Sequence, residues 1–206
     1  MLFKVRYWTK SLTMMASLAA SKKAKMECSQ PSDTESMASS EKRNWNLKWE
    51  EYFMALAFIS AQRSKDPACQ VGACIINKDN RIVGIGYNGM PDKCSDDDFP
   101  WGKGKTETAD SSKKFYVCHA ELNAIMNKIQ ADLRGCTLYC TRFPCNECAK
   151  LIVQSGIKKV VYGYQKEDGE IERASHKMFG AAEIFIKKYN SKRKVKLQVE
   201  DNTYEL

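Results

Sequence analysis

Residues 136–164 read CTLYCTRFPCNECAKLIVQSGIKKVVYGY. The runs Cys136–Thr141 and Lys159–Tyr164 have strand composition, and NECAKLIVQSG from Cys145 onward has helical spacing. Pro144 stands where a helix is entered and Gly156 where one stops. A strand, helix and strand in one run form a right-handed parallel crossover. Upstream, Gln70–Ile76 and Arg81–Tyr87 are also strands, joined by Asn77-Lys78-Asp79-Asn80, whose Asn and Asp residues suit a hairpin turn. That pair is antiparallel, so the sheet is mixed, and helices on both of its faces predict a three-layer α/β/α domain.

The remaining periodicity fills in the layers. Leu47–Ser64 is predicted helical, with Trp49 near its start and Phe53, Leu56, Ala57, Ser60 and Ala61 on one face. From Ala120, ELNAIMNKI repeats Leu122, Ile125, Met126 and Ile129 at spacings of three and four. A last helix is predicted near Glu172–Ala181 and a last strand at Glu183–Ile186. Met90–Cys118 is longer than structureless loops usually are, and such segments serve as lids, binding loops or disorder.

Two short motifs carry chemistry: HAE at 119–121 and PCNEC at 144–148. His119, Cys145 and Cys148 form the soft N/S donor set that suits zinc, and three protein ligands leave the fourth tetrahedral position to water or substrate. Zinc lowers the pKa of such a water to about 7, which supplies hydroxide at neutral pH. Glu121 lies two residues past a ligand, placed to carry protons beside the metal without binding it. A closed structural zinc would need a fourth donor, for which His176, Cys118, Cys136 and Cys140 are conceivable, and would leave Glu121 without a purpose. Both half-sites fall at predicted helix N-termini, where the dipole favours thiolate, hydroxide and carboxylate.

Together these motifs resemble the signature of zinc-dependent nucleobase deaminases. The resemblance implies that Glu121 takes a proton from the attacking water, delivers it to N3 of cytosine, and later helps protonate the departing amine.

The 206 residues, 43% of them hydrophobic, suffice for one well-buried domain, and no apolar run approaches the roughly 20 residues that span a bilayer. The net charge of +8 is unevenly spread. Residues 1–26 hold Lys4, Arg6, Lys10, Lys22, Lys23 and Lys25 with no acid, and without them 27 basic residues face 25 acidic ones. A second basic cluster, Lys187, Lys188, Lys192, Arg193, Lys194 and Lys196, reads as a solvated tail or strand edge. Charge therefore gives little support for a nucleic-acid partner. Nine cysteines with a thiolate metal motif indicate a reducing compartment, and Cys69, Cys74 and Cys136 read as small core residues. Residues 1–44, basic and then Ser-rich, read as a disordered or targeting extension, 45–190 as the catalytic domain and 191–206 as a basic and acidic tail.

Longer stretches carry a closer resemblance. WEEYFMALAFISAQRSKDP, QVGACI, IVGIGYNGMP, HAELNAIMNK and FPCNECAKLI, spanning about residues 46–165, are similar to the eukaryotic deoxycytidylate (dCMP) deaminases of the cytidine and deoxycytidylate deaminase family. The resemblance implies a cytidine-deaminase-like fold and hydrolysis of dCMP to dUMP for thymidylate synthesis. It also implies Zn2+, a homo-hexamer, activation by dCTP and inhibition by dTTP. The cytoplasm is the expected location, with the nucleus, or mitochondrial targeting through residues 1–26, as alternatives.

Arg63, Ser64 and Lys65 are candidates for the substrate phosphate, or else complement the dipole at a helix end. The resemblance implies that Asn88 contacts the sugar, where the residues alone allow a simple Asn-Gly turn. It also makes Tyr87 and Gly89 candidates for effector binding. Asp96, Asp97 and Asp98 meet an effector's Mg2+ or make a solvated acidic turn. A second structural zinc, carried by some relatives, finds Cys94 but no histidine in the 90–118 insertion. A polynucleotide deaminase and a non-enzymatic zinc module remain the competing readings.

Overall fold

The side-chain alternation of one central strand decides how the layers stack. The computed structural model describes residues 42–103, 108, 111–166, 169–191, 196–199 and 202–205; the extension expected over 1–44 lies outside these up to residue 41, as do Lys192, Arg193 and Lys194. Strand β1 (Gly72–Ile76) is buried along its whole length. Cys74 and Ile76 point to one face, where helix α1 (Trp49–Ala61) brings Phe53, Met54 and Ala57, while Ala73 and Ile75 point to the other. β1 pairs antiparallel with β2 (Ile82–Tyr87) on one side and with β3 (Thr137–Arg142) on the other. β3 then pairs parallel with β4 (Lys159–Tyr164), and β4 with β5 (Phe185–Lys188), giving the order β2-β1-β3-β4-β5.

The mixed sheet and the crossover are therefore as the sequence indicates. α2 (Ala120–Met126), α3 (Asn146–Gln154) and α4 (Glu170–Ala181) cover the face opposite α1, around a core that includes Ala124, Leu138, Ile152, Val160 and Phe179. The β1–β2 turn is an Asx turn: the Asn77 Oδ1 accepts from the Asp79 and Arg81 amides, both at 3.0 Å, and Asn80 adopts a left-handed φ of 59°. Gly156, at φ 78°, ends the α3 segment as expected.

Element ends depart from the pattern for identifiable reasons. α1 stops at Ala61 rather than Ser64, because the Gln62, Arg63 and Ser64 amides donate three residues back and tighten the chain into a turn. β5 begins at Phe185, not Glu183, because Glu183 takes a left-handed φ of 54° to leave α4. Lys196–Val199 and Asn202–Glu205, within the stretch read as a tail, pair antiparallel as a separate ribbon of β6 and β7. No described helix is long and apolar enough to cross a membrane.

The largest departure is α2. Its expected apolar face included Met126 and Ile129, but these are 68% and 82% exposed, and the buried side is Ala120, Glu121, Ala124 and Ile125. The cause is close contact with β2. A Cβ built on Gly86 would lie 2.3 Å from the Ala124 nitrogen and 2.5 Å from the Ala120 oxygen, so only small residues fit on both sides. Past Met126 the chain gives up helix to follow β2: the Asn127 side chain donates to the Ile85 carbonyl at 3.2 Å and the Ile129 amide to that of Val83 at 2.9 Å.

Gly86→Ala must lever α2 off the sheet, and overpacking of this kind costs about 1–3 kcal/mol. We expect a lower denaturation midpoint together with reduced zinc retention, since His119 caps α2. A variant with wild-type stability and metal content would show that the contact is not limiting.

Candidate active site

The two half-sites meet because each opens a helix. His119 is the residue that caps α2 and Cys145 the one that caps α3, both with extended backbones (φ −74°, ψ 158° and φ −70°, ψ 171°). Their side chains thus project beyond the first turns, and Cys148 lies one turn into α3. His119 Nδ1 is 3.3 Å from Cys145 Sγ and 3.4 Å from Cys148 Sγ. A tetrahedral ion with Zn–N near 2.05 Å and Zn–S near 2.3 Å holds nitrogen and sulfur about 3.6 Å apart, so the donor set fits zinc in type and spacing.

The alternative donors lie elsewhere. Among the described residues, His119, Cys145 and Cys148 are the one group of three or more potential ligands with all ligand atoms within 4.8 Å. His176 stacks on Phe143 at 4.5 Å and meets Gln165, Cys136 Sγ accepts from the Gln130 amide, and Cys140 Sγ donates to the Val161 carbonyl. Cys118 pairs through its backbone with Gly89 in both directions, at 3.1 and 2.9 Å, which ties the Tyr87–Gly89 turn to the residue before His119. The eight described cysteines are all free. Cys74 and Cys136 are core residues as expected, but Cys69 is half-buried in a turn.

Glu121 is buried, with a carboxylate oxygen 3.5 Å from Cys148 Sγ. Burial raises its pKa above the usual carboxylate range, against the opposing pull of His119. The two cysteines are shifted in opposite directions. Hydrogen bonding from the Cys148 thiol, and secondarily from His119, lowers Cys145 to about 3 despite burial, while the same bond drives Cys148 upward. His119 is raised, chiefly by its bond to Cys145.

The other candidates separate into distinct environments. Asn88 is buried, its amide donating to Asp66 at 3.3 Å and to the Cys69 carbonyl at 3.0 Å, and its Oδ1 accepting from the Val71 amide at 2.8 Å. It stitches β2 to the turn before β1, so the Asn-Gly pair does more than turn the chain. Lys65 pairs with Asp96, so the acidic run offers that oxygen to a protein cation; Asp97 and Asp98 stay in the same turn. Ser64 Oγ accepts from the Asp66 amide at 3.3 Å, and the Arg63 guanidinium lies 5.8 Å from the Tyr87 ring centre. Gly89 contributes the Cys118 bridge, and the Tyr87 carbonyl accepts from Asn123 of α2 at 2.7 Å.

The feature missing from the sequence reading is Asp66. This 3% exposed carboxylate receives the Lys113 ammonium on both oxygens, the Asn88 amide, and the Ala68 and Cys69 backbone amides at 2.9 and 3.1 Å. Burial works to raise its pKa, but the Lys113 bond and the two amides outweigh that and hold it below the ordinary value. The Asp-Pro pair at 66–67 signals a turn; no local pattern marks Lys113 as its partner. Around this pair the described residues of the insertion make specific contacts: the Phe99 and Tyr116 rings meet at 5.0 Å, and the Lys113 amide donates to the Gly102 carbonyl at 2.9 Å.

Against known proteins, residues 47–164 match the profile of the cytidine and deoxycytidylate deaminase zinc-binding region. The chain belongs to this family. It is 56% identical to deoxycytidylate deaminase of Mus musculus over 75% of this chain and 86% of that protein. To the probable deoxycytidylate deaminase of Drosophila melanogaster it is 51% identical, over 75% and 79%. A dCMP deaminase from the cyanophage S-TIM5, solved in complex with dCMP and dUMP, superposes with a TM-score of 0.55 at 28% identity, over 68% of this chain and 96% of that one. The deaminase family's zinc-binding region thus coincides with the three-donor cluster.

Asp66→Asn strands the Lys113 ammonium, and losing one partner of a buried pair costs at the lower end of about 3–5 kcal/mol. Because the folded pKa of Asp66 is depressed, its stabilisation is complete above the unfolded value of about 3.9 and disappears as pH falls through the folded one. Denaturant unfolding at several pH values should therefore show a wild-type advantage at pH 7 that shrinks below about pH 4. A constant difference would remove the charge from the explanation.

Proposed function

We propose that this protein is a zinc-dependent hydrolase that converts dCMP and water to dUMP and ammonia, supplying dUMP for thymidylate synthesis. The observation that carries this is Glu121, a buried carboxylate 3.5 Å from Cys148, which is one of three soft donors gathered at one point. The relatives named deoxycytidylate deaminase, and the phage enzyme bound to dCMP and dUMP, support the choice of substrate.

His119, Cys145 and Cys148 would hold the zinc, which supplies a Lewis acid that makes water nucleophilic at neutral pH. Glu121 accepts a proton from the water attacking C4 and passes it to N3 of the cytosine ring. It then assists proton transfer to the exocyclic amine, which leaves as ammonia while the C4 carbonyl forms. Burial favours the protonated form of Glu121, in keeping with a group that must both take and give a proton. The N-termini of α2 and α3 stabilise the anionic groups gathered between them.

Glu121→Gln removes the proton carrier and leaves the three donors intact. We expect zinc content within error of wild type and dCMP turnover down by about 10²–10⁴-fold. Near-normal turnover in a zinc-loaded variant would refute the role of Glu121. Failure of the wild type on dCMP, with activity on cytosine in single-stranded polynucleotide, would replace the substrate.

Regulation is proposed on the resemblance to eukaryotic dCMP deaminases: a homo-hexamer activated by dCTP, with Mg2+ accompanying the triphosphate, and inhibited by dTTP. An effector acts only by binding two states unequally, and the Gly89–Cys118 pairing gives the Tyr87–Gly89 turn a direct link to His119. dCTP should lower the dCMP concentration at half-saturation and dTTP raise it, with Tyr87→Ala blunting both responses more than the rate at saturating substrate. Hyperbolic kinetics indifferent to both triphosphates, in zinc-loaded hexamer, would sink the regulatory proposal alone.

A further inference from the structure

We propose that Arg142 binds the substrate's 5′-phosphate and sets the preference for a nucleotide over its nucleoside; this rests on the dCMP reading above. The strand pleat gives the first argument. Leu138 and Cys140 of β3 face the α2 and α3 layer, and two residues on, Arg142 continues that face at the strand's end, three residues before Cys145. Its side chain thus leaves the strand on the side of the sheet that carries the metal donors. Nη1 reaches the Cys69 thiol at 3.5 Å, so the group spans from the metal side to the turn that follows Arg63, Ser64 and Lys65.

The second argument is the count of uncommitted cations. Lys65 is engaged by Asp96 and Lys113 by Asp66. Among the described residues no ion pair includes Arg142, whose one hydrogen-bond partner is a thiol, a weak acceptor. A half-buried guanidinium retains donors enough for a two-pronged contact, which is the geometry a phosphate accepts. Among the described residues no ion pair includes Arg63 either, whose guanidinium lies 5.8 Å from the Tyr87 ring centre.

A structural alternative is a strut in which Arg142 only props the Cys69 turn. Three variants separate the two. Arg142→Gln should raise the KM for dCMP about 10- to 100-fold and lower by the same factor the ratio of kcat/KM for dCMP to that for deoxycytidine, with kcat at saturating dCMP and zinc content retained. Arg142→Lys, which keeps charge without the fork, should fall between Gln and wild type. Cys69→Ala removes the thiol contact and should keep the substrate ratio. Calorimetric binding of dUMP and deoxyuridine to the same zinc-loaded proteins gives a readout free of turnover: Arg142→Gln should weaken dUMP selectively. An unchanged substrate ratio, equal loss on both ligands, or a Cys69→Ala variant that reproduces Arg142→Gln would overturn the proposal. Because dUMP affinity is measured without catalysis, failure of the deamination reading and failure of the Arg142 reading give different results.

Discussion

Two helix N-termini must arrive at the same end of one strand, and the chemistry depends on that meeting. α3 leaves β3 through Phe143 and Pro144, so Cys145 and Cys148 are placed by the strand that directly precedes them. His119 comes from a helix seated on β2, two strands away in the sheet. Its position therefore depends on β1 pairing correctly with both neighbours. The all-glycine and alanine contact between β2 and α2 then sets the height of α2 above the sheet. Any larger residue there would raise His119 relative to the thiols and spread the donor set.

A second constraint holds the approach to the site. Asp66 lies between α1 and β1, and Lys113 lies just ahead of His119, so their buried ion pair joins the start of the domain to the segment that delivers a ligand. Asn88 bridges the same carboxylate to the end of β2. Three segments distant in sequence thus share one acceptor. A buried pair of this kind contributes little net stability over an apolar substitute; what it adds is a single permitted arrangement, because any other leaves a charge without its partner. That makes the pair a means of fixing how the segment ahead of His119 is held more than a means of strengthening the domain.

The sequence made legible what is local and periodic. The crossover, the Asx hairpin and the two ligand motifs are each contained within a short window, where spacing alone constrains the answer. Misreadings arose where a partner far along the chain overrode the local pattern. Met126 and Ile129 continue a helical repeat, yet β2 draws the chain away from it through hydrogen bonds that no window around residue 126 contains. Asn88 carries the turn signature of Asn-Gly, and its amide is instead consumed by Asp66, Cys69 and Val71, 17 to 22 residues upstream. Asp66 itself is a carboxylate in a Pro turn until Lys113, 47 residues later, is brought against it.

The same long-range pairing changes what net charge says about the ligand. The chain carries an excess of +8, but much of that excess belongs to residues 1–26, far in sequence from the metal motifs. Around the site the charges cancel in pairs: Lys113 with Asp66, Lys65 with Asp96. Among the described residues no ion pair includes Arg142 or Arg63. A polynucleotide is held by many spaced phosphate contacts, and its affinity falls steeply as those contacts are lost. One phosphate needs only a fork and a neighbouring charge. The distribution of ion pairs, more than the sum of charges, therefore favours a single nucleotide as the molecule this site is built to hold.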